Sequence, residues 1–167
     1  ELLDQIPNIY ANSNEYIFRG MLRQKIWDCE RSLFWNEKYT SQAGQDKIIK
    51  KRFFDGKKNG FFIEIGAHDG ITGSNCYYFE KFLNWNGIAI EPSNIQFGKL
   101  KKNRKCNVLN NAISNEVKEA NYYKLPGNAG NGLYFEKNSM NSKINKVKTE
   151  TLNSILDSNY TYDIIKL

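Results

Sequence analysis

The sequence predicts an α/β domain, a parallel sheet with helices on both faces, and three observations predict it. Two short apolar runs, Phe61-Phe62-Ile63-Glu64-Ile65 and Gly87-Ile88-Ala89-Ile90-Glu91, are bounded by glycine and asparagine in the manner of buried parallel strands. Segments of helical period alternate with such runs, as strand-helix-strand crossovers require. Between the two runs, glycines at 66, 70 and 73 give the chain a sharp turn at the end of the first.

The elements follow in order. Residues 1–40 space Ile17, Met21, Leu22, Ile26, Leu33 and Phe34 at mixed helical intervals, which predicts one or two helices forming an N-terminal cover outside the sheet. Ser41-Gln42-Ala43-Gly44 breaks that pattern. A helix with Ile48, Ile49 and Phe53 on one face follows and ends before Asp55-Gly56. Phe61 to Ile65 is the first strand. Ser74 or Asn75 then caps a helix whose inner face is Cys76, Phe79, Phe82 and Leu83. Asn86-Gly87 stops it, and the second strand runs to Glu91. Ser93-Asn94-Ile95-Gln96 fits a capping box, opening a helix that passes through Phe97 and Leu100 into the basic run 99–105. Asn107 to Asn110 is the third strand. Residues 119–136 hold abundant turn chemistry around Pro126-Gly127 and predict an inserted hairpin or a mobile loop. Thr151 to Leu156 reads as a short helix, and Tyr162 to Leu167 begins a fourth core strand. This divides the chain into an extension, 1–40, and a main domain, 41–167.

Composition narrows the function classes. Cys29, Cys76 and Cys106 stand far apart with no paired spacing, and His68 is the single histidine, so neither a disulfide framework nor a metal site is indicated. No apolar run reaches the ~20 residues that cross a bilayer, and the start is not a secretory signal, so the expected location is cytoplasmic. The net charge of +6 gathers at 50–52, 57–58 and 99–105. Solvated helix ends explain most of it, with an anionic small molecule or a nucleic acid as the sharper reading.

The chemistry concentrates in Glu64-Ile65-Gly66-Ala67-His68-Asp69-Gly70. Cofactors in open parallel sheets bind at the carboxyl edge where the strand order reverses. Gly66 lets the backbone leave the strand sharply, Gly70 lets it pass close to a ligand, and Glu91 ends the next strand where a carboxylate can accept from ribose hydroxyls. A dinucleotide site wants a middle glycine to make room for pyrophosphate, and here His68 and Ile71 occupy the middle and last glycine positions. That counts against NAD. S-adenosylmethionine carries no phosphate and tolerates a side chain there, and Glu64 at the strand end suits the amino group of its methionine part.

With these residues, Ser41-Gln42-Ala43-Gly44-Gln45-Asp46, Phe62 to Gly70 with Ser74-Asn75, Trp85 to Pro92, Asn111-Ala112-Ile113-Ser114, Val147 to Leu152 and Asp163 to Leu167 resemble the FkbM-like methyltransferases in order and spacing. The resemblance covers 41–167. It implies a class I, Rossmann-like methyltransferase fold using S-adenosylmethionine, commonly for O-methylation of a hydroxyl on a sugar or other small molecule. It places Glu64, Gly66, Ala67, His68, Asp69, Gly70, Ser74 and Asn75 around the methionine part, Glu91 and Pro92 at the ribose, and Asn111 and Ala112 against the adenine. His68 stands where the family has Asn. The family's last strand continues into an acidic Asp-x-Glu-Gly stretch that lies beyond Leu167, so the domain is expected to be incomplete at its C-terminus.

No catalytic base is identified. His68 and Asp69 are the candidates, each with a structural alternative: His68 as a loop hydrogen-bonder, Asp69 as the holder of its own turn. Gln45 and Asp46 either face the cofactor or start a helix. The competing functions are a non-catalytic Rossmann-like binding domain and a nucleic-acid-directed methyltransferase, with a dinucleotide oxidoreductase more distant.

Overall fold

The structure is a computed structural model, and it describes residues 16–124, 132–133, 143–156, 159 and 161–166. Helix α1 spans Tyr16–Ser32 and α2 Gln45–Phe53. Strand β1 (Phe61–Ile65), α3 (Tyr77–Leu83), β2 (Asn86–Ile90), α4 (Asn94–Asn103) and β3 (Asn107–Leu109) follow. The remaining elements are β4 (Ala112–Ile113), β5 (Glu119–Lys124), β6 (Gly132–Leu133), β7 (Lys143–Glu150), α5 (Leu152–Ile155) and β8 (Ile164–Lys166).

Four strands pair in parallel in the order β3-β2-β1-β8, with Ile63 opposite Ile88 and Ile165. The chain moves outward from β1 through β2 to β3, then returns to the other side of β1 as β8, so the order reverses between β1 and β8. Alternate side chains of β1 point to opposite faces. Phe62 packs with Phe79, Ala89 and Leu100, joined by Ile49 and Phe54 of the α2 region. Ile63 packs with Ile88, Ile90, Leu152, Ile155 and Leu156. Helices therefore cover both faces, α2 to α4 on one and α5 on the other. No helix among the described residues is long and apolar enough to cross a membrane.

Most expected elements lie where the apolar pattern put them. Thr151 caps α5 by accepting from the Ser154 N–H. Three local readings change. Phe53 and Phe82 are exposed, and Tyr78, stacked on Tyr39, takes the inward place on α3. Cys76 and Phe79 keep their inward places, and Phe82 lies in the last turn of a helix only seven residues long. Ser93 precedes α4 but makes no side-chain capping bond. Finally, the expected hairpin exists, with Tyr122 of β5 opposite Leu133 of β6, but it is part of a larger sheet ordered β4-β7-β5-β6. The turn 126–131 lies outside the described residues. Strand β7 is an element the sequence hides, because from Asn145 onward its lysines alternate with the buried Val147 and Thr149.

Candidate functional site

The glycine turn leaves the carboxyl end of β1 beside the point of strand-order reversal, where an open parallel sheet presents its crevice. Gly66 and Ala67 both donate their N–H groups to the Ile90 carbonyl, so the turn is anchored to the end of β2. Gly66 has φ of 71°, a left-handed conformation that costs an L side chain about 1 kcal/mol. A Cβ at Gly66 would meet nothing within 4 Å, so this side of the turn is open space. Gly70, with φ of 86°, is the opposite case. A Cβ there would lie 2.8 Å from Leu100 Cδ1 and from Arg104 Cγ.

Beneath the turn sits a buried ionic cluster. Glu64 and Arg104 are both fully buried, and Arg104 Nη1 donates to Glu64 Oε2 at 2.9 Å and to the Gly70 carbonyl at 3.1 Å. Arg104 Nε donates to Glu80 Oε2 at 2.5 Å. Burial works against the guanidinium charge, but Glu64 and Glu80 outweigh it and hold Arg104 above its ordinary pKa. Burial likewise opposes the Glu80 charge, and Arg104 overcomes it, leaving that carboxyl below the usual range. Ser74 donates its hydroxyl to Glu64 and accepts from the Tyr77 N–H at 2.9 Å, so one side chain ties the strand to the start of α3. The Asn75 N–H also donates to Glu64, at 2.9 Å. Asn75 Oδ1 is buried and accepts nothing among the described residues.

Above the turn lies Glu91, buried just past β2. Its Oε2 accepts from the His68 N–H at 2.9 Å and its Oε1 from the Ser93 N–H at 2.8 Å. A carboxylate has about four acceptor positions, so each oxygen keeps one for a further donor. Asn110 fixes the same edge by donating to the Glu91 and Pro92 carbonyls. Asn111 and the buried Ala112 follow directly. On the other flank, Lys166 of β8 donates to the Ile65 carbonyl at 3.1 Å.

Asp69 is spent on the turn. Its Oδ1 accepts from the N–H groups of Ile71 and Thr72, and its Oδ2 from the Thr72 hydroxyl. Burial would raise its pKa, but these donors, with His68 nearby, hold it below the ordinary carboxylate value. The His68 side chain is about half exposed, with Nδ1 3.8 Å from Asp69. Asp46 is buried as well, accepting from the Thr40, Ser41 and Lys47 N–H groups and the Ser41 hydroxyl. It shapes the Ser41–Asp46 segment, which is pinned to the far end of the glycine turn by a bond from the Gly73 N–H to the Thr40 carbonyl and by the Ser41–Gly73 bridge. Gln45 accepts from the Ala43 N–H. Both residues build structure.

The structure thus brings Glu64 to Asn75, Glu91, Pro92, Asn111 and Ala112 to one edge of the sheet. Arg104 and Asn110 were missed by the sequence reading. Arg104 sits inside a run of lysines that reads as solvated charge, and Asn110 adjoins a strand end where asparagine is an ordinary turn residue. A separate cavity of about 460 Å³, lined by Lys57, Asn59, Phe61, Asn84 and Asp163 among others, opens at the amino edge. Ligands of open α/β sheets bind at the other edge. Among the described residues, no group of three or more His, Cys, Asp and Glu side chains is placed to hold a metal ion.

An open parallel sheet with a glycine turn and an acidic strand end at its switch point defines a ligand-binding α/β domain. The methyltransferase FkbM domain matches residues 64–167, well over half the chain, and the chain belongs to that family. It is a methyltransferase domain. No curated protein and no solved structure matches the chain.

Proposed function

We propose that this domain is Rossmann-like in the class I sense, binds S-adenosylmethionine above the glycine turn, and methylates a hydroxyl of a sugar or other small molecule. One observation carries the reading: Glu91 is bonded to the His68 N–H of the turn and keeps a free acceptor position on each oxygen, beside the open space at Gly66. That donor-poor, acceptor-rich edge suits two ribose hydroxyls and offers no nest for pyrophosphate. Asn75 Oδ1, a buried acceptor without a donor among the described residues, suits the ammonium of a methionine part.

In this assignment Glu91 and Pro92 hold the ribose, and Asn111 with Ala112 lies against the adenine. Gly66, Ala67, His68, Asp69 and Gly70 form the floor of the site. Glu64 and Ser74 act through the turn they brace. The cofactor supplies an activated methyl group. The chain's contribution is to hold the acceptor oxygen in line and to exclude water, which removes much of the entropic barrier. Asp69 is already engaged and weakly basic, so His68 at the lip of the turn is the better base for an acceptor proton.

Calorimetric titration with S-adenosylmethionine and S-adenosylhomocysteine, followed by methyl transfer from labelled cofactor to a panel of carbohydrate hydroxyls, tests this. Absence of cofactor binding by folded protein rejects the reading. Binding without transfer to any acceptor supports the non-catalytic alternative.

A further inference from the structure

The charge of this chain is unevenly placed. Between Arg19 and Lys58 lie eleven basic and five acidic side chains, a difference of +6, while the rest of the chain holds thirteen of each. The whole net charge therefore falls on the stretch from α1 through α2, five of its basic side chains lying on α1 and the turn after it and six on α2 and the turn that follows. Of its five acidic groups, Glu30 is paired with Lys47, Asp55 with Lys50, and Asp46 is buried.

The same segment exposes its apolar side chains. On α1, Met21, Lys25 and Cys29 are exposed at four-residue spacing, a single stripe along the helix. The Leu33 N–H continues the turn onto the Cys29 carbonyl, so the stripe runs into Leu33, Phe34 and Trp35. These three are 53%, 75% and 66% exposed. Lys38 follows and lies over the ring of the exposed Phe82, 5.8 Å from its centroid.

The helix end itself argues that Phe34 is there for something outside the fold. The Trp35 N–H bonds the Glu30 carbonyl and the Phe34 N–H the Arg31 carbonyl, the double closure that places one residue in the left-handed region. That residue is usually glycine. Here it is Phe34, with φ of 58°. A bulky side chain in this conformation costs about 1 kcal/mol, and Phe34 recovers none of it by burial.

We infer that the stripe ending in Leu33-Phe34-Trp35 docks on an anionic membrane surface. Trp and Phe beside Lys and Arg are the side chains that anchor proteins at the lipid interface, with apolar parts in the acyl boundary and cations at the headgroups. Single-stranded nucleic acid is the less suitable partner. Leu33 and Met21 offer no face for base stacking, which is how aromatics serve such sites.

Trp35 makes the test direct, because Trp27 and Trp85 are buried. The full chain is mixed with vesicles of phosphatidylcholine alone, or of equal parts phosphatidylcholine and phosphatidylglycerol, and sedimentation and tryptophan emission are followed. Binding to the anionic vesicles alone, a blue shift abolished in Trp35→Ser, and weakening by salt are expected. Phe34→Gly, which relieves the strained helix end and so keeps the fold, should lower the partition coefficient about tenfold through lost apolar burial. Failure to bind anionic vesicles, or binding unchanged in both variants, overturns the inference. So does a Trp35 shift driven by protein concentration alone, which marks a second copy, or by single-stranded RNA but not vesicles.

Discussion

The two sides of the glycine turn use carboxylates in opposite ways. Below it, Glu64 is fully buried, with Arg104, Ser74 and the Asn75 N–H around it, and Gly70 leaves no space for a methyl group. Above it, Glu91 is held by two backbone N–H groups, and the neighbouring Gly66 faces open space. On the proposed reading, the difference separates building from binding. A buried ion pair fixes geometry because removing either partner strands the other charge. A carboxylate held by backbone donors stays oriented and still accepts from a ligand.

Replacing Arg104 with Met attacks the lower side and should have the largest effect. It strands Glu64 and Glu80 and should cost about 3–5 kcal/mol of stability, read from urea unfolding. A loss below ~1 kcal/mol would mean the pair does not hold the turn. Gly70→Ala comes next. Its Cβ meets Leu100 and Arg104 at 2.8 Å in a left-handed backbone, which should cost about 2–3 kcal/mol from overpacking and strain.

On the upper side, stability and binding should separate. Glu91→Gln removes the charge and sets its amide NH2 against one of the two backbone N–H groups, so stability should fall by about 1 kcal/mol while S-adenosylhomocysteine affinity falls about a hundredfold, as for lost charged hydrogen bonds. Equal losses of stability and affinity would erase the distinction between the two sides.

The smallest effect concerns pH. The folded-state pKa of Asp69 lies below its ordinary value, so its contribution to stability is fully present above that value and drains away as pH falls through the folded one. The stability difference between wild type and Asp69→Asn should therefore be greatest near neutrality, begin to fall near about pH 4, the unfolded carboxylate range, and vanish only below the folded-state value. A difference that grew on acidification would contradict the turn geometry.

The upper side was largely readable from sequence, and the lower side was not. Gly66 and Glu91 are marked by position, because a strand buried on both faces is a continuous apolar run whose end is unmistakable. Ser74 was legible as a helix start, but its simultaneous grip on Glu64 depends on a contact ten residues back. Arg104 was invisible, since nothing local distinguishes a cation that turns inward from its lysine neighbours. Glu64 was read as a ligand for the amino group because the guanidinium that meets it arrives forty residues later. Strand β7 was missed for the same kind of reason. From Asn145 onward, its pairing with β5 and β4 buries Val147 and Thr149, and Thr149 is held by its hydroxyl bond to the Glu116 carbonyl rather than by apolar area.

The division of the turn into a built side and a binding side is tested most directly by amide chemical-shift mapping during titration with S-adenosylhomocysteine. The account predicts saturable shifts at Gly66, Ala67, His68, Glu91, Asn111 and Ala112, with the amides of Tyr77, Glu80 and Arg104 unmoved. Shifts confined to the amino-edge residues Lys57 to Phe61, or no shifts at saturating ligand, would contradict it.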